Sequence, residues 1–348
     1  MSLRVLQVDS GREWRGGQRQ VWLLARELKN NGVAQEVVTR QGSELARRAA
    51  ADGVVVRGTP WTIGLDPRAW WRLAAELRAF RPTIVHAHNN HAASLALWAR
   101  RGVTPAPWLV VTRRVVYPVR RGSAVLRADR VIAISAAVRQ TLVAAGVAPA
   151  RITLVPSGVD AAEVRRAASP SLDQRAILGL PPGTPLAVTV AALEPAKDHA
   201  TLLRAAAHAR PLRPDLHWVI AGAGPLAADI DRLARELGLA DRVHRIGWTD
   251  RPEALLAAAD VVVLSSAEEG LGTVVLDAVA LGKPVVATRG GGLPDIVPAE
   301  WLVPVGDAEA LGQAVVRALK YPSPFPLPPQ FTAAAMARGV LAAYRALA

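Results

Sequence analysis

The sequence predicts an α/β protein built from two doubly wound parallel sheets in tandem, and three observations carry that expectation. Short apolar stretches alternate with longer stretches of helical spacing through the first half of the chain. The same alternation restarts after a Pro- and Gly-punctuated stretch, SPSLDQRAILGLPPGTP (169–185). The chain has 348 residues, above the roughly 250–300 at which single cores stop growing.

Taken in order, Leu3–Val8 reads as the first strand. Gln18–Asn31 follows as a helix, with Val21, Leu24, Ala25 and Leu28 on one apolar stripe. Further strands are expected at Glu36–Thr39, Val54–Arg57, Thr83–Ala87, Trp108–Thr112, Arg130–Ile134 and Ile152–Pro156. Helices are expected at Pro67–Phe80, His91–Arg101 and Ser135–Ala145. Such alternation implies parallel strands covered on both faces. The second half places strands at Leu186–Ala191, Trp218–Ala221, Val243–Ile246, Val261–Leu264 and Val285–Thr288. Its helices are His199–Ala209, Leu226–Leu237, Pro252–Ala258, Thr273–Leu281 and Ala308–Leu319. YPSPFPLPPQF (321–331) is too rich in Pro for a helix interior. A last helix, Thr332–Leu347, follows it. The expected domains are 1–168 and 169–328, with 332–348 packing back on the first. Ligands of such folds bind at the carboxyl ends of the strands, so a central cleft is expected between the two domains.

Composition narrows the function classes. There is no Cys, which removes disulfides, thiol nucleophiles and Cys-based zinc sites, and fits a cytoplasmic protein. No apolar run reaches the roughly 18 residues that span a bilayer. MSLRVLQVDS lacks the apolar core of a signal peptide and reads as a strand. Charge is uneven: 26 Lys and Arg face 11 Asp and Glu up to residue 168, against 16 and 18 beyond it. The basic first half suits an anionic partner or is a solvated Arg-rich surface. Trp70, Trp71, Arg68, Arg72, Arg78 and Arg81 lie within 65–82, as in a helix that rests on an anionic membrane or buries a Trp in the core. Aromatics interleaved with basic residues in a single-strand platform are not evident, so no nucleic-acid partner is expected.

The residues with the clearest chemistry lie in SSAEEGLGTVVLDAVALGKPVVATRGGGLPDIV (265–297). Gly270, Leu271 and Gly272 stand between a strand end and a helix starting at Thr273. Glycine lets the backbone approach closely, and free amides at a helix start favour an anion. Glu269 and Asp277 flank that turn. This stretch resembles the signature of retaining family-4 glycosyltransferases, which have the GT-B fold. Further blocks match in the same order: RGGQRQ (15–20), VHAH (85–88), ADRVIAISAAVR (128–139), RITLVPSGVD (151–160), LEPAKDHATLLRA (193–205), VIAGAGPL (219–226) and VHRIGWTD (243–250).

The resemblance covers nearly the whole chain and implies a set of roles. Glu269 contacts the donor sugar, Asp277 the nucleotide ribose and Lys197 the donor diphosphate. Gly16 and Gly17 form a loop that approaches the diphosphate. Gly247 and Trp248 lie where the base is held, unless Trp248 is a core residue. His88 reaches the donor sugar, and His88, Lys197 and Glu269 make up the expected catalytic set. The implied reaction is a front-face transfer with retention from a nucleotide sugar, such as a UDP- or GDP-sugar, to a hydroxyl acceptor. It needs no metal or other cofactor. The implied setting is cell-envelope polysaccharide, lipopolysaccharide or glycolipid synthesis, with a glycan or lipid-linked acceptor at the inner membrane face. A nucleotide-sugar 2-epimerase of the same fold, or a degenerate member, is the alternative.

Three departures bear on this. The family's usual Arg is replaced by Ala192, and Arg113 and Arg114 are the candidates for compensation, or for acceptor binding. Asp277 stands where the family has Glu, and Ser157 where it commonly has Asn. His86, His88 and His91 fall within six positions of a chain that holds seven His. His86 is expected to pack, His88 to point to the opposite side, and His91 to cap the next helix or face the acceptor.

Overall fold

A computed structural model describes residues 3–61, 66–169 and 173–348. Leu65, at the head of the aromatic and basic stretch, and residues 170–172 of the expected linker lie outside the described residues. The chain divides into two compact units, the first ending at Gly158 but completed by Pro329–Ala348, the second spanning Val159–Pro328.

The first unit contains β1 (Arg4–Asp9), α1 (Gly16–Asn30), β2 (Ala34–Arg40), α2 (Glu44–Ala51), β3 (Val55–Thr59) and α3 (Pro67–Phe80). It continues through β4 (Ile84–Ala87), α4 (Asn90–Ala99), β5 (Trp108–Arg113), β6 (Arg130–Ala133), α5 (Ala136–Ala144) and β7 (Ile152–Leu154). The strands form one parallel sheet in the order β3-β2-β1-β4-β5-β6-β7, so the winding reverses between β1 and β4. Apolar residues fill both faces, because helices cover both, as parallel sheets require. Helix starts obey local chemistry: Ser43 Oγ accepts from the Ala46 amide, Asn89 Oδ1 from Ala92, and Ser135 Oγ from Val138. Asn89 therefore caps α4, the role expected of His91. α2 has no counterpart in the sequence expectation, since only Leu45 and Ala49 of its eight residues are buried and no stripe shows.

The second unit contains α6 (Ala161–Ala167), α7 (Gln174–Ile177), β8 (Leu186–Val190), α8 (His199–Ala209), β9 (His217–Ala221), α9 (Ala227–Glu236) and β10 (Val243–Gly247). It continues through α10 (Pro252–Ala258), β11 (Val261–Leu264), α11 (Thr273–Ala280), β12 (Val285–Thr288), β13 (Leu302–Val303) and α12 (Ala308–Lys320). Its parallel sheet runs β10-β9-β8-β11-β12-β13 and reverses between β8 and β11. The boundary falls ten residues before the expected 168, because α6 packs within the second unit, where Arg165 Nη1 donates to the Ala280 carbonyl at 3.2 Å.

The last helix, α13 (Ala333–Arg345), is part of the first unit and packs on α1. Met336, Ala337, Val340, Leu341 and Tyr344 join the core that α1 forms with β1 and β2. Burying Val340, Leu341 and Met336 contributes roughly 1.5–3 kcal/mol each. Gly158 makes the junction possible: a Cβ there would stand 2.6 Å from the Thr332 carbonyl oxygen. Gln20 of α1 holds the same residue, accepting from the Gly158 amide at 2.9 Å and donating to its carbonyl at 2.8 Å.

Candidate active site

Each sheet has one point where its winding reverses, and there the loops after neighbouring strands part and leave a crevice. In the first unit these are the loops after β1 and β4, in the second those after β8 and β11. Most of the sequence-predicted residues fall at these two points.

In the first unit, His88 follows β4 and is buried at 4% exposure. His86 and His88 do not point to opposite sides. Their rings lie 4.0 Å apart, because strand side chains two positions apart share a face. His86 is locked between the Tyr344 hydroxyl and Thr112 Oγ1, both at 2.6 Å. His88 Nε2 meets Gln7 Oε1 at 3.0 Å, and its carbonyl accepts from Arg114 Nη1 at 3.2 Å. Burial holds both rings well below the usual imidazole pKa, and the neighbouring Arg114 cation adds to this. His91 lies on α4, its ring 6.3 Å from that of Trp61. Among the described residues no three His, Asp or Glu are placed to share a metal.

Arg114 is the cation at this switch point. Burial lowers its pKa below the ordinary guanidinium value, to about 10, against the opposing pull of Asp9. Its Nε is buried without a hydrogen-bond partner. Gly17 faces the Arg114 Cδ, and the helix begun by Gly16 and Gly17 has no side-chain cap and no acidic residue in its first turn. An uncapped helix start beside a half-buried guanidinium is suited to an anionic group. Arg113 is turned elsewhere: it donates to the carbonyls of Val115 and Tyr117 and to Asn90 Oδ1, and so holds its own loop. Asp9 organises the neighbouring loop, accepting from the Gly11 amide, Gln18 and Asn89.

In the second unit, Lys197 follows β8 and forms an ion pair with Glu269, which follows β11. Glu269 also accepts from the Gly270 amide at 3.2 Å and faces Ser266 Oγ at 3.4 Å. The two loops are tied by backbone: the Ala196 carbonyl accepts from the amides of Ala267 and Glu268, and Ser265 Oγ donates to the Lys197 carbonyl. Gly270 and Leu271 are buried in this turn. Gly272 is the N-cap of α11 in left-handed conformation (φ 89°) and offers no side-chain cap. The first turn of α11, from Thr273, contains no acidic residue and no side-chain cap; the Val275 amide already donates to the Gly272 carbonyl at 2.9 Å, and an anion would meet the amides before it. Asp277 is buried in the second turn. Gly247 ends β10, the edge strand two strands away from β8, and Trp248 follows it. Trp248 is 67% exposed, so it is not a core residue.

His199 opens α8, as the sequence predicts, and lies beside Lys197. It is 1% exposed, and neither ring nitrogen closes a hydrogen bond. Burial first, and the Lys197 charge second, lower its pKa to about 4. The Ala192 carbonyl faces the ring, so the position of the family's missing Arg adjoins this buried imidazole.

Residues 171–337 match the family "Glycosyl transferases group 1", and residues 14–163 match "Glycosyltransferase Family 4". The 2-deoxystreptamine N-acetyl-D-glucosaminyltransferase of Streptomyces fradiae is 30% identical over 86% of this chain and 81% of its own length. The chain belongs to the group 1, family 4 glycosyltransferases. The lipopolysaccharide core biosynthesis glycosyltransferase LpsE of Rhizobium meliloti is 33% identical, over 40% of this chain and 41% of that protein, so the match spans less than half of its length. Among solved structures, HepE of Anabaena in complex with UDP and glucose superposes with a TM-score of 0.79 at 19% identity, covering 99% of this chain and 95% of that one. At that identity the likeness speaks for the fold, which is GT-B: two parallel sheets with interleaved helices in two Rossmann-like domains.

Proposed function

We propose that this glycosyltransferase moves a sugar from a nucleotide-sugar donor to a hydroxyl acceptor with retention, without a metal, in the synthesis of cell-envelope glycans or glycolipids. The observation that carries the reading is the pairing of Lys197 with Glu269 beside the uncapped start of α11. A departing diphosphate needs positive charge fixed in advance, and a lysine with free helix amides supplies it. Lys197 exchanges Glu269 for the diphosphate, and Glu269 turns to the sugar hydroxyls. Asp277 contacts the ribose, and Gly247 and Trp248 border the base. The bond from the anomeric carbon to the phosphate oxygen breaks, and that oxygen takes the acceptor's proton as the new glycosidic bond forms. His88 contacts the donor sugar, and Arg114 with the Gly16–Gly17 helix start meets an anionic group of donor or acceptor. The complex of the structurally similar HepE with UDP and glucose, and the lipopolysaccharide role of LpsE, support a UDP-sugar donor and an envelope acceptor.

The outer face of α3 supports a membrane-facing site of action. Trp71 is 65% exposed between Arg68 and Arg72, and Trp98 on α4 lies under the Arg101 guanidinium. Aromatic and basic residues together favour an anionic surface. No described helix is long and apolar enough to cross a membrane. The deciding experiment is calorimetry of UDP- and GDP-sugars against the wild type and Lys197→Met with no metal added. Binding that the substitution abolishes supports the site. Equal binding by both proteins removes Lys197 from it.

A further inference from the structure

A chain of directed hydrogen bonds runs from the body of α1 to His88. It begins at the Ala25 carbonyl, which can only accept. Gln35 of β2 donates to it through Nε2, so the Gln35 oxygen points the other way. That oxygen accepts from Gln7 Nε2 at 2.6 Å. The Gln7 amide is thereby fixed, with its oxygen 3.0 Å from His88 Nε2. An amide oxygen only accepts, so His88 Nε2 must carry the hydrogen. The opposite end agrees: His88 Nδ1 faces Arg114 Nη2 at 3.5 Å, and a guanidinium only donates. Gln7 is fully buried in the middle of β1, where a polar side chain is costly unless satisfied.

We propose that Gln7 is a positioning residue that fixes His88 as the Nε2–H tautomer, so that Nδ1 is presented to the switch point as an obligate acceptor. Of the two neighbours that could set the tautomer, Gln7 makes the shorter contact and is itself held from behind, whereas Arg114 is 0.5 Å further away by the distances above. In place of the long Arg114 contact, His88 Nδ1 then takes a hydrogen bond from a sugar or acceptor hydroxyl, and it does not deliver a proton. Burial, with His86 and Arg114 as neighbours, keeps the ring neutral at pH 7, so the tautomer is the state that matters. The functional half of the inference rests on the assignment of His88 to the donor sugar; the tautomer itself does not.

The test is nitrogen NMR on protein labelled at its histidines, with His88 assigned by the loss of its signals in His88→Gln. The wild type should show a pyrrole-type Nε2 and a pyridine-type Nδ1 for His88. Arg114→Met should keep that pattern, and Gln7→Met should give both tautomers. Gln7→Glu, whose carboxylate also accepts from Nε2, should restore the single Nε2–H form. If Gln7→Met fails to fold, Gln35→Met cuts the chain one link further out and frees the Gln7 amide to turn. A protonated Nδ1 in the wild type, or a tautomer that follows Arg114 and ignores Gln7, overturns the proposal. In turnover, Gln7→Met should lower kcat by about 10-fold at unchanged KM for acceptor. A mixed tautomer with unchanged turnover upholds the tautomer control and overturns the role of His88 on the donor.

Discussion

Replacing Arg114 by methionine should make the ligand-free protein more stable and its donor binding weaker. The guanidinium pKa is held down to about 10, below its ordinary value, chiefly by burial. At neutral pH it is charged in the folded and the unfolded chain alike. The depressed value means that folding disfavours this charge by about 3 kcal/mol. Because both values lie far above 7, the cost is constant across physiological pH. Methionine fills similar volume without charge, and such replacements of buried ions are often neutral or stabilising by roughly 1–4 kcal/mol. Against the gain stand two hydrogen bonds to His88, at 3.2 and 3.5 Å, worth about 1 kcal/mol each or less. The net is about 1–2 kcal/mol in favour of Arg114→Met. For a unit of this size that raises Tm by roughly 2–8 °C. Losing a charged hydrogen bond to an anionic ligand should weaken UDP-sugar binding roughly 10- to 150-fold, about 1.5–3 kcal/mol. Scanning calorimetry with and without UDP-glucose measures both effects. A fall of several degrees in the ligand-free Tm, or an undiminished ligand shift, would refute the reasoning.

Three further outcomes follow from the same coordinates. Gly158→Ala ought to gain about 0.4–1 kcal/mol through the unfolded chain, but its Cβ would meet Thr332 and Ala333 backbone atoms at 2.6–2.8 Å. Overpacking of that kind costs roughly 1–3 kcal/mol, so urea unfolding should show a loss; a gain contradicts the close approach. His199 is neutral when folded, with a pKa of about 4 against an ordinary 6.5, so its contribution is full above 6.5 and is lost as the pH falls toward 4. His199→Met, which leaves no orphaned ring nitrogen, should therefore stabilise the protein at pH 5 far more than at pH 8; equal effects at the two pH values count against a buried neutral ring. Gly272→Ala meets both a left-handed φ of 89° and the Leu293 Cδ2 at 2.7 Å. It should displace the start of α11 and reduce the UDP-induced thermal shift while the far-UV spectrum is kept, and an unaltered shift argues against amides of α11 holding the phosphates.

The alternation of strands and helices was legible because both sheets are covered on two faces, which makes most strands short apolar runs, although the edge strands β3 and β10 are mixed in polarity and only partly covered. The helix starts at Thr273, Pro252 and His199 stand where the sequence pattern placed them. What the sequence could not show was the order of strands in space. The reversals between β1 and β4 and between β8 and β11 are tertiary facts, and they bring Gln7 to His88 and Lys197 to Glu269. Arg113 and Arg114 are adjacent and chemically equal in the sequence, but they part company in the fold, one holding its loop and the other standing at the switch point. By the apolar pattern alone, Gln7 and Asp9 are interruptions of β1. They are instead the polar groups by which β1 orders the loop and the imidazole beside it.

Tyr344 lies 258 residues after the His86 ring it holds. At about 5–20 residues added per second, a ribosome needs roughly 10–50 s to travel between them. Throughout that interval the first unit exists without α13, and a groove of α1 that should be covered by Met336, Val340 and Leu341 is open to water. The second unit, uninterrupted in the chain from Val159 to Pro328, can meanwhile fold at once. Synthesis order is thus reversed in assembly order: the half made first is finished last. During that wait, a newborn chain offers chaperones an apolar groove shaped for a helix that has yet to be made.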